Sequence, residues 1–345
     1  MQQNKTSILC KYKDESLNKR YGLIHIEVNK ALRMQHEGTI DIIDKTIDIL
    51  KVDTHYNKNT TQTVNKKYIL KKKVAWIQDN SKEGGAEKSN KFLREKGNDF
   101  GFEINLVTPN DFNITHLNNC DLLIINNFYE FEIDQMNKIY NLIYEDRKLY
   151  VKYDHDHREA SRPHISQQLF AMSKLNVFIS PKHKELFMNS LGSQLEENSI
   201  ILPLAIDTTK YINKNSNREK NSVLVPCLRK CNSNFKNFIE KHINDKFYII
   251  GDYDYHGSNI KKLSNQNDDG MIRLYNMCET VYHEPDTFWA GERIYFEALL
   301  CGCKVICNEN VGHISWNFEI NVLKEKLDNA ILIFWSKIDE IIKRI

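Results

Sequence analysis

Ionisable side chains are concentrated in one short segment of the chain. Residues 149–153, Leu-Tyr-Val-Lys-Tyr, predict a buried strand, and residues 154–159 follow it with Asp-His-Asp-His-Arg-Glu. Because burying charge without a partner is costly, these six side chains must be paired, solvated or in contact with a ligand. Imidazole and carboxylate groups at the carboxyl end of a strand can transfer protons or bind hydroxyls. His155, Asp156 and His157 are therefore candidate catalytic residues.

Two other interpretations apply to residues 154–159. The spacing of His155 and His157 is compatible with a metal site, but further ligands cannot be assigned, so no metal is predicted. A solvated loop is the other alternative. If the strand continued through this segment, alternation would place its two aspartates on one side and its two histidines on the other.

A pair of glycines marks the predicted start of a helix. Gly84 and Gly85 follow the apolar run 74–77 and precede Glu87. Glycine allows close approach of the backbone, and a helix N-terminus offers unpaired N–H groups to a phosphate or a hydroxyl. We expect Gly84, Gly85 and Glu87 to lie near a phosphate or an acceptor, with an ordinary strand-to-helix turn as the alternative. The spacing is not G-x-G-x-x-G, which disfavours a dinucleotide-dependent oxidoreductase.

A carboxylate interrupts an apolar stretch near the C-terminus. Residues 292–300 read Glu-Arg-Ile-Tyr-Phe-Glu-Ala-Leu-Leu and predict a helix, in which an unpaired Glu297 would be costly. Glu297 could bind a pair of ligand hydroxyls, such as a ribose diol. It could equally form an ion pair with Arg293, four residues earlier on the same face. The residues alone do not decide between the two.

Short apolar runs separated by helical stretches must position these side chains. From Lys73 onwards this alternation predicts parallel sheets covered by helices on both faces. A second alternating set begins near residue 210, so a cleft should lie between the carboxyl ends of two sheets, where ligands bind. The predicted units are a basic N-terminal extension of uncertain structure (1–72), an N-terminal Rossmann-like domain (73–208), a C-terminal Rossmann-like domain (209–318) and a C-terminal helix (319–345).

The composition excludes several classes of protein. With 345 residues, 41% hydrophobic, and only 13 Gly and 6 Pro, the chain is neither disordered nor fibrous. No apolar run reaches the roughly 18–20 residues that span a bilayer, and the first residues do not resemble a secretory signal, so we expect no transmembrane segment and a cytoplasmic protein. Eight cysteines are too few for a disulfide scaffold, and none forms the C-x₂-C pair typical of zinc sites.

The charge is unevenly distributed. The net charge of +2 argues against a dedicated nucleic-acid binder. Residues 1–72, however, carry 14 Lys and Arg against 8 Asp and Glu, while the remainder carries 34 against 38. The extension is therefore a candidate acceptor-binding or oligomerisation element with an anionic partner.

Four segments, in this order, resemble the retaining family 4-like glycosyltransferases. The glycine loop of that family resembles Gly84–Glu87, and its His-Asp segment resembles His155–His157. Its domain junction, Pro-Asn-Gly-Val-Asp, is approximated by Pro203–Asp207, and its donor helix, Glu-Ala-Met-Ala-x-Gly-x-Pro-Val, is matched by Glu297–Val305. The resemblance covers roughly residues 73–318. It implies an α/β protein of the GT-B fold, with two Rossmann-like parallel-sheet domains that face each other across a cleft.

The resemblance also implies transfer of a sugar from a nucleotide-diphosphate donor, a UDP-, GDP- or ADP-linked hexose, with retention of configuration and no metal or cofactor. In that family the second Glu of a Glu-x₇-Glu motif binds the donor ribose, which corresponds to Glu297. The first Glu falls on Trp289, so Glu284 or Glu292 would have to supply the carboxylate. Arg293 is a further donor-binding candidate.

Family members neutralise the donor diphosphate with an Arg and a Lys on the loop after the first strand of the second domain. These correspond to Arg229 and to either Lys230 or Lys236, and Gly251 would face the donor base. The family's chemistry assigns His155 or His157 to hydrogen bonds with the transferred sugar or the phosphate. A glycan, a lipid-linked precursor, a protein and a modified DNA base are all candidate acceptors. The alternative function is a noncatalytic nucleotide-sugar binding or interaction protein that retains the fold.

Overall fold

A computed structural model provides the architecture of the chain from residue 71 onwards. The predicted extension, residues 1–72, therefore lies almost wholly outside the described residues. Among the described residues, no helix combines the length and the apolar character needed to cross a membrane. The described residues are 71–80, 84–127, 129–161, 163–214, 217–251 and 256–344.

The first sheet has six strands, all parallel. The apolar residues of its four inner strands are buried, and in the third strand along the chain every side chain is completely buried, as expected for a sheet covered by helices on both sides. The strands are β1 (Lys72–Ile77), β2 (Phe102–Val107), β3 (Leu122–Ile125), β4 (Tyr150–Tyr153), β5 (Asn176–Phe178) and β6 (Ser199–Ile201), in the order β2-β1-β3-β4-β5-β6.

The second sheet has five parallel strands, so the prediction of two parallel α/β domains is confirmed. They are β7 (Glu219–Val225), β8 (Lys246–Ile250), β9 (Ile260–Leu263), β10 (Cys278–His283) and β11 (Lys304–Cys307), in the order β11-β10-β7-β8-β9. The sequence analysis did not predict β9. This strand lies at the edge of the sheet and exposes Lys261 and Lys262, and such charged edge strands lack the apolar run that identifies buried ones.

Nine α-helices connect the strands within the described residues. They are α1 (Gly85–Gly97), α2 (Ile114–Asn118), α3 (Ile133–Tyr144), α4 (Pro163–Met172), α5 (Pro181–Leu191), α6 (Leu228–Lys241), α7 (Asp268–Met277), α8 (Arg293–Leu300) and α9 (Ile320–Lys343).

Helix α6 begins soon after β7, where the family resemblance placed a loop that carries Arg229 and Lys230. The helix begins at Leu228, just after Pro226. Leu228, Cys231 and Phe235 are all buried, and their spacing forms one helical face. Residues 229 and 230 therefore lie in the first turn of α6 rather than on a loop.

The predicted C-terminal helix, α9, packs against both sheets. Leu323 and Leu327, near its start, belong to the core of the second sheet. Phe334 and Trp335, near its end, belong to the core of the first. The Trp335 ring lies 5.0 Å from the Phe102 ring, and its indole N–H donates to a backbone carbonyl of α1 at 2.9 Å. A single helix therefore stabilises both halves of the protein.

Candidate active site

One cavity lies between the carboxyl ends of the two sheets. Its volume is about 710 Å³, and the segments that follow β1, β4, β7 and β10 contribute its walls. This is the position predicted for a ligand site in paired parallel sheets. Eleven of the predicted site residues line it: Gly84, Gly85, Glu87, His155, Asp156, His157, Arg229, Lys230, Glu292, Arg293 and Glu297.

Two predicted site residues lie elsewhere. Lys236 is exposed, further along α6 than Lys230. Gly251 follows β8 with a φ of +109°, a backbone conformation that favours glycine. Neither residue lines the cavity, and their contacts with a donor stay predictions.

A tight turn follows β4. The strand ends at Tyr153, so the alternation expected if it continued is absent. The backbone N–H of Asp156 donates to Asp154 Oδ1 at 3.1 Å, and the 3₁₀ turn His157–Ser161 comes next. As a result His155 lines the cavity, whereas Asp154 is completely buried.

The tautomer of His155 is set by Asn126. The side-chain oxygen of Asn126 accepts the backbone N–H of Asn127 at 2.8 Å, so its Nδ2 is the donor that lies 3.4 Å from His155 Nδ1. His155 Nδ1 must then accept, which places the ring proton on Nε2. Burial, assisted by the charge of Lys152, lowers the pKa of His155 to about 3. His155 is thus a neutral imidazole, and its Nε2–H has no hydrogen-bond partner among the described residues.

Asp156 and His157 have different surroundings. The Asp156 carboxylate accepts the backbone N–H and the guanidinium Nε of Arg158 at 2.9 and 2.8 Å. Burial raises the pKa of Asp156, but the hydrogen bonds from Arg158 outweigh it and the pKa is lowered. The His157 ring contacts Phe288 and Trp289, with centroid distances of 5.5 and 6.3 Å. His157 thereby joins the two halves of the cavity wall.

A buried ionic cluster that the sequence analysis missed supports this turn. Lys152 is completely buried and donates to Glu159 at 3.0 Å and to the Asn126 carbonyl at 3.4 Å. Asp154 lies 3.8 Å from the Lys152 ammonium and 3.7 Å from the ring of buried His183. Burial lowers the pKa of Lys152, but the two carboxylates outweigh it and the pKa is raised. A lysine inside an apolar strand was the available sequence signal.

The glycine pair begins α1, as predicted. Gly84 is the N-cap residue, and its backbone N–H donates to Glu87 Oε2 at 2.9 Å. Glu87 therefore caps the helix from inside its first turn. A Cβ on Gly85 would lie 3.5 Å from the Arg293 side chain, so the N-terminus of α1 lies against that side chain.

Glu297 forms the ion pair with Arg293 that the sequence analysis considered, and it also lies where it could bind ligand hydroxyls. Arg293 Nε donates to its Oε1 at 2.8 Å, and the Tyr275 hydroxyl donates to its Oε2 at 3.2 Å. Glu297 also lines the cavity, and a carboxylate retains acceptor capacity beyond two hydrogen bonds. Arg293 in turn donates to Ser89 Oγ at 3.0 Å and to the Ala205 carbonyl at 3.3 Å. These contacts connect Glu297 to the first domain.

The first turn of α6 places two cations in the cavity. Arg229 is exposed there. The Lys230 ammonium pairs with Glu292 and lies 3.4 Å from the centroid of the Trp289 ring. Trp289 thus stands in the wall where the resemblance expected a carboxylate, and Glu292 brings a carboxylate into the same cavity.

In the described part of the chain, no group of three or more His, Cys, Asp and Glu side chains is arranged to hold a metal ion.

Comparison with solved structures provides the architectural class. The chain is similar to Anabaena HepE in complex with UDP and glucose, at 13% identity and a TM-score of 0.58, over 79% of this chain and 100% of that chain. It is also similar to sucrose-phosphate synthase from Thermosynechococcus elongatus, at 11% identity and a TM-score of 0.56, over 77% and 91%. The fold is GT-B. No protein-family model matches the chain, and no match is found among curated proteins.

A third GT-B structure carries a nucleic acid. This alpha-glucosyltransferase, in complex with UDP and a 13-mer DNA containing a HMU base, is 14% identical, with a TM-score of 0.51 over 77% of this chain and 91% of that chain. At these identities the likeness establishes the GT-B fold. The narrower resemblance to retaining family 4-like enzymes stays a prediction.

Proposed function

We propose that this protein transfers a sugar from a nucleoside-diphosphate donor to an acceptor hydroxyl, with retention of configuration and without a metal ion. The observation that carries the proposal is a cavity of about 710 Å³ between the two sheets of a GT-B fold. It brings together Arg229, Glu297, His155 and the N-terminus of α1. The UDP in the HepE and alpha-glucosyltransferase structures supports a donor of this class.

The second domain would hold the nucleotide. Glu297 lies at the cavity with Arg293 and Tyr275 fixing its two oxygens, so its remaining lone pairs can accept the two ribose hydroxyls. Burial keeps the pKa of the Tyr275 hydroxyl well above its usual value. Tyr275 therefore stays a donor and holds the carboxylate ready for the ribose.

The diphosphate leaving group needs positive charge. As the bond to the sugar breaks, negative charge develops on the diphosphate, and preorganised cations and helix N-termini stabilise it. Arg229 supplies an exposed guanidinium, and Lys230 lies beside it. The first residues of α1 and α8 both line the cavity, and N–H groups at a helix N-terminus add to the stabilisation.

His155 would orient the transferred sugar. A neutral imidazole with a proton on Nε2 is a hydrogen-bond donor that needs no change of charge to act. The Asp156 carboxylate is engaged by Arg158, so we assign it to shaping the turn rather than to attack on the sugar. Retention then follows if the departing phosphate accepts the proton of the incoming hydroxyl on the same face of the sugar.

The alternative is a noncatalytic nucleotide-sugar binding protein. Two observations favour it: Trp289 stands where the related motif has a carboxylate, and the Lys230 charge is already paired. A fold by itself does not guarantee activity. The two functions make different predictions for turnover.

The test is a screen of UDP-, GDP- and ADP-linked hexoses for thermal stabilisation and for slow donor hydrolysis. Stabilisation with hydrolysis by one donor class supports the transferase, and NMR of the released sugar tests retention. Transfer is then measured with glycan, lipid-linked, protein and modified-DNA acceptors. Stabilisation without turnover under all these conditions would favour the binding protein. No stabilisation by any of these donors would contradict both functions.

A further inference from the structure

Lys230 already has an ion-pair partner in the cavity. Its ammonium group forms an ion pair with Glu292 Oε1 and lies against the face of Trp289. The Lys230 and Glu292 side chains are only 15% and 9% exposed. In such a partly desolvated environment an ion pair is stronger than on a solvent-exposed surface. A ligand that needs the charge of Lys230 must therefore compete with Glu292.

Glu292 is ionised at physiological pH. Burial raises the pKa of its carboxyl, but the neighbouring His283 and the charge of Lys230 outweigh it and lower the pKa to about 2. His283 Nε2 lies 3.7 Å from the second carboxylate oxygen. The Glu292 side chain makes no capping hydrogen bond to α8. The carboxylate is therefore held by side chains and is not needed to begin the helix.

The other cations of the cavity leave few substitutes for Lys230. Five cationic side chains line it, and the side chain of Arg229 makes no ion pair with the described residues. A diphosphate carries several negative charges, so Arg229 alone does not match it. The four paired cations and their partners are Lys88–Asp268, Arg158–Asp156, Lys230–Glu292 and Arg293–Glu297.

Lys230 is better able to change partners than Arg293. Arg293 is fixed by hydrogen bonds to Ser89 and to the Ala205 carbonyl, in addition to Glu297. Lys230 has a flexible stem, and an ammonium group can turn its three donors towards a new acceptor. It also lies in the same helical turn as Arg229, so both charges can reach one ligand.

We propose that Glu292 sets the affinity of the site for anionic ligands by competing with the donor diphosphate for Lys230. This inference rests on the proposed nucleoside-diphosphate donor. When the donor binds, Lys230 leaves Glu292 for a phosphate oxygen, and His283 stays beside the carboxylate. Ligands without a diphosphate leave the Lys230–Glu292 pair in place, so Glu292 lowers the affinity for diphosphates and does not change the affinity for uncharged nucleosides.

The test measures binding of UDP, GDP and ADP to the full-length protein by calorimetry, with the matching nucleosides as uncharged probes. Glu292→Gln keeps the shape of the side chain and removes its charge. We expect the diphosphate that binds the wild type to bind this variant about tenfold more tightly, the equivalent of about 1.4 kcal/mol. The affinity for the matching nucleoside should not change. Asp134→Asn is the matched control, because it removes a carboxylate from an exposed ion pair on α3, away from the cavity.

A double-mutant cycle with Lys230→Met separates competition from simple repulsion. If Glu292 only repels the diphosphate, Glu292→Gln gives the same gain with and without Lys230. If the two compete for Lys230, the gain is larger when Lys230 is present. Glu292→Ala serves as a second variant should Glu292→Gln fold poorly, and the melting temperature of each variant is recorded.

Three results would overturn the inference. Weaker diphosphate binding by Glu292→Gln would mean that Glu292 positions Lys230 for the ligand. Unchanged binding, or an equal gain in the Lys230→Met background, would show that Glu292 does not compete for Lys230. Neither result would contradict the proposed function. A wild-type protein that binds none of the three diphosphates would overturn both.

Discussion

Acid should destabilise this protein through histidines that the fold keeps neutral, and His155 is the most informative of them. Burial and the charge of Lys152 lower its pKa to about 3, against about 6.5 in an unfolded chain. Between these values the unfolded chain binds a proton that the folded protein does not. The free energy of unfolding must therefore fall as the pH falls from about 6.5 towards about 3.

The size of the effect follows from the two pKa values. Between about pH 7.5 and about pH 5, His155 alone should remove about 2 kcal/mol from the free energy of unfolding. His313, whose pKa burial lowers to about 4, should remove a similar amount over the same interval. Each contribution is large against the roughly 5–15 kcal/mol by which proteins are stable.

The assay is urea denaturation of the wild type and of His155→Gln at both pH values. Glutamine cannot titrate in this range, so the loss of stability on acidification should be about 2 kcal/mol smaller in the variant. His116→Gln, at an exposed position on α2, is the control and should keep the full loss. A His155→Gln variant that loses as much stability as the wild type would show that His155 is freely protonated in the folded protein at about pH 5, which would contradict its lowered pKa.

Three further predictions concern the ligand, the core and the metal. Arg229→Ala should weaken binding of the donor diphosphate by about 10–100-fold, since charge-assisted hydrogen bonds are worth about 1.5–3 kcal/mol. The control, Arg273→Ala at an exposed position on α7, should not weaken it. Equal effects of the two variants in calorimetry would argue against a contact between Arg229 and the phosphate. Trp335→Ala should lower the free energy of unfolding, measured by urea denaturation, by about 3–5 kcal/mol. Leu332→Ala, at an exposed position, should lower it by about 0.5 kcal/mol or less. A small loss for Trp335→Ala would mean that α9 does not stabilise the first domain. Donor turnover should continue in EDTA, and loss of activity that Mg²⁺ or Mn²⁺ restores would contradict the metal-independent proposal.

The buried strands were predictable because their signal is local. A run such as Leu122–Ile125 is apolar at every position, and only a sheet covered on both faces buries it completely. The edge strand Ile260–Leu263 was missed because half of it is lysine. The start of α6 was missed because the loop assignment took no account of the buried face that Leu228 begins.

The candidate site was predictable in its residues, but its pairings were predictable only where the partners are close in sequence, as for Arg293 and Glu297. Strand ends and helix starts could be located along the chain, and most of the side chains chosen at these points line the cavity. The ion pair between Lys230 and Glu292, however, joins positions 62 residues apart. Likewise, no sequence pattern connects Arg293 with Ser89, which lies 204 residues away.

The amino-acid sequence by itself determined the alternation of strands and helices, the carboxyl-end location of the polar segments and hence the class of fold. These features depend on which side chains avoid water, and that preference belongs to each residue and its neighbours. The tertiary structure alone decided that His155 stays neutral in mild acid, that Glu292 stays ionised although it is buried, and that Lys230 is paired with it. Charge state and pairing depend on distance and burial among residues far apart in the chain, and only the packed protein sets those distances.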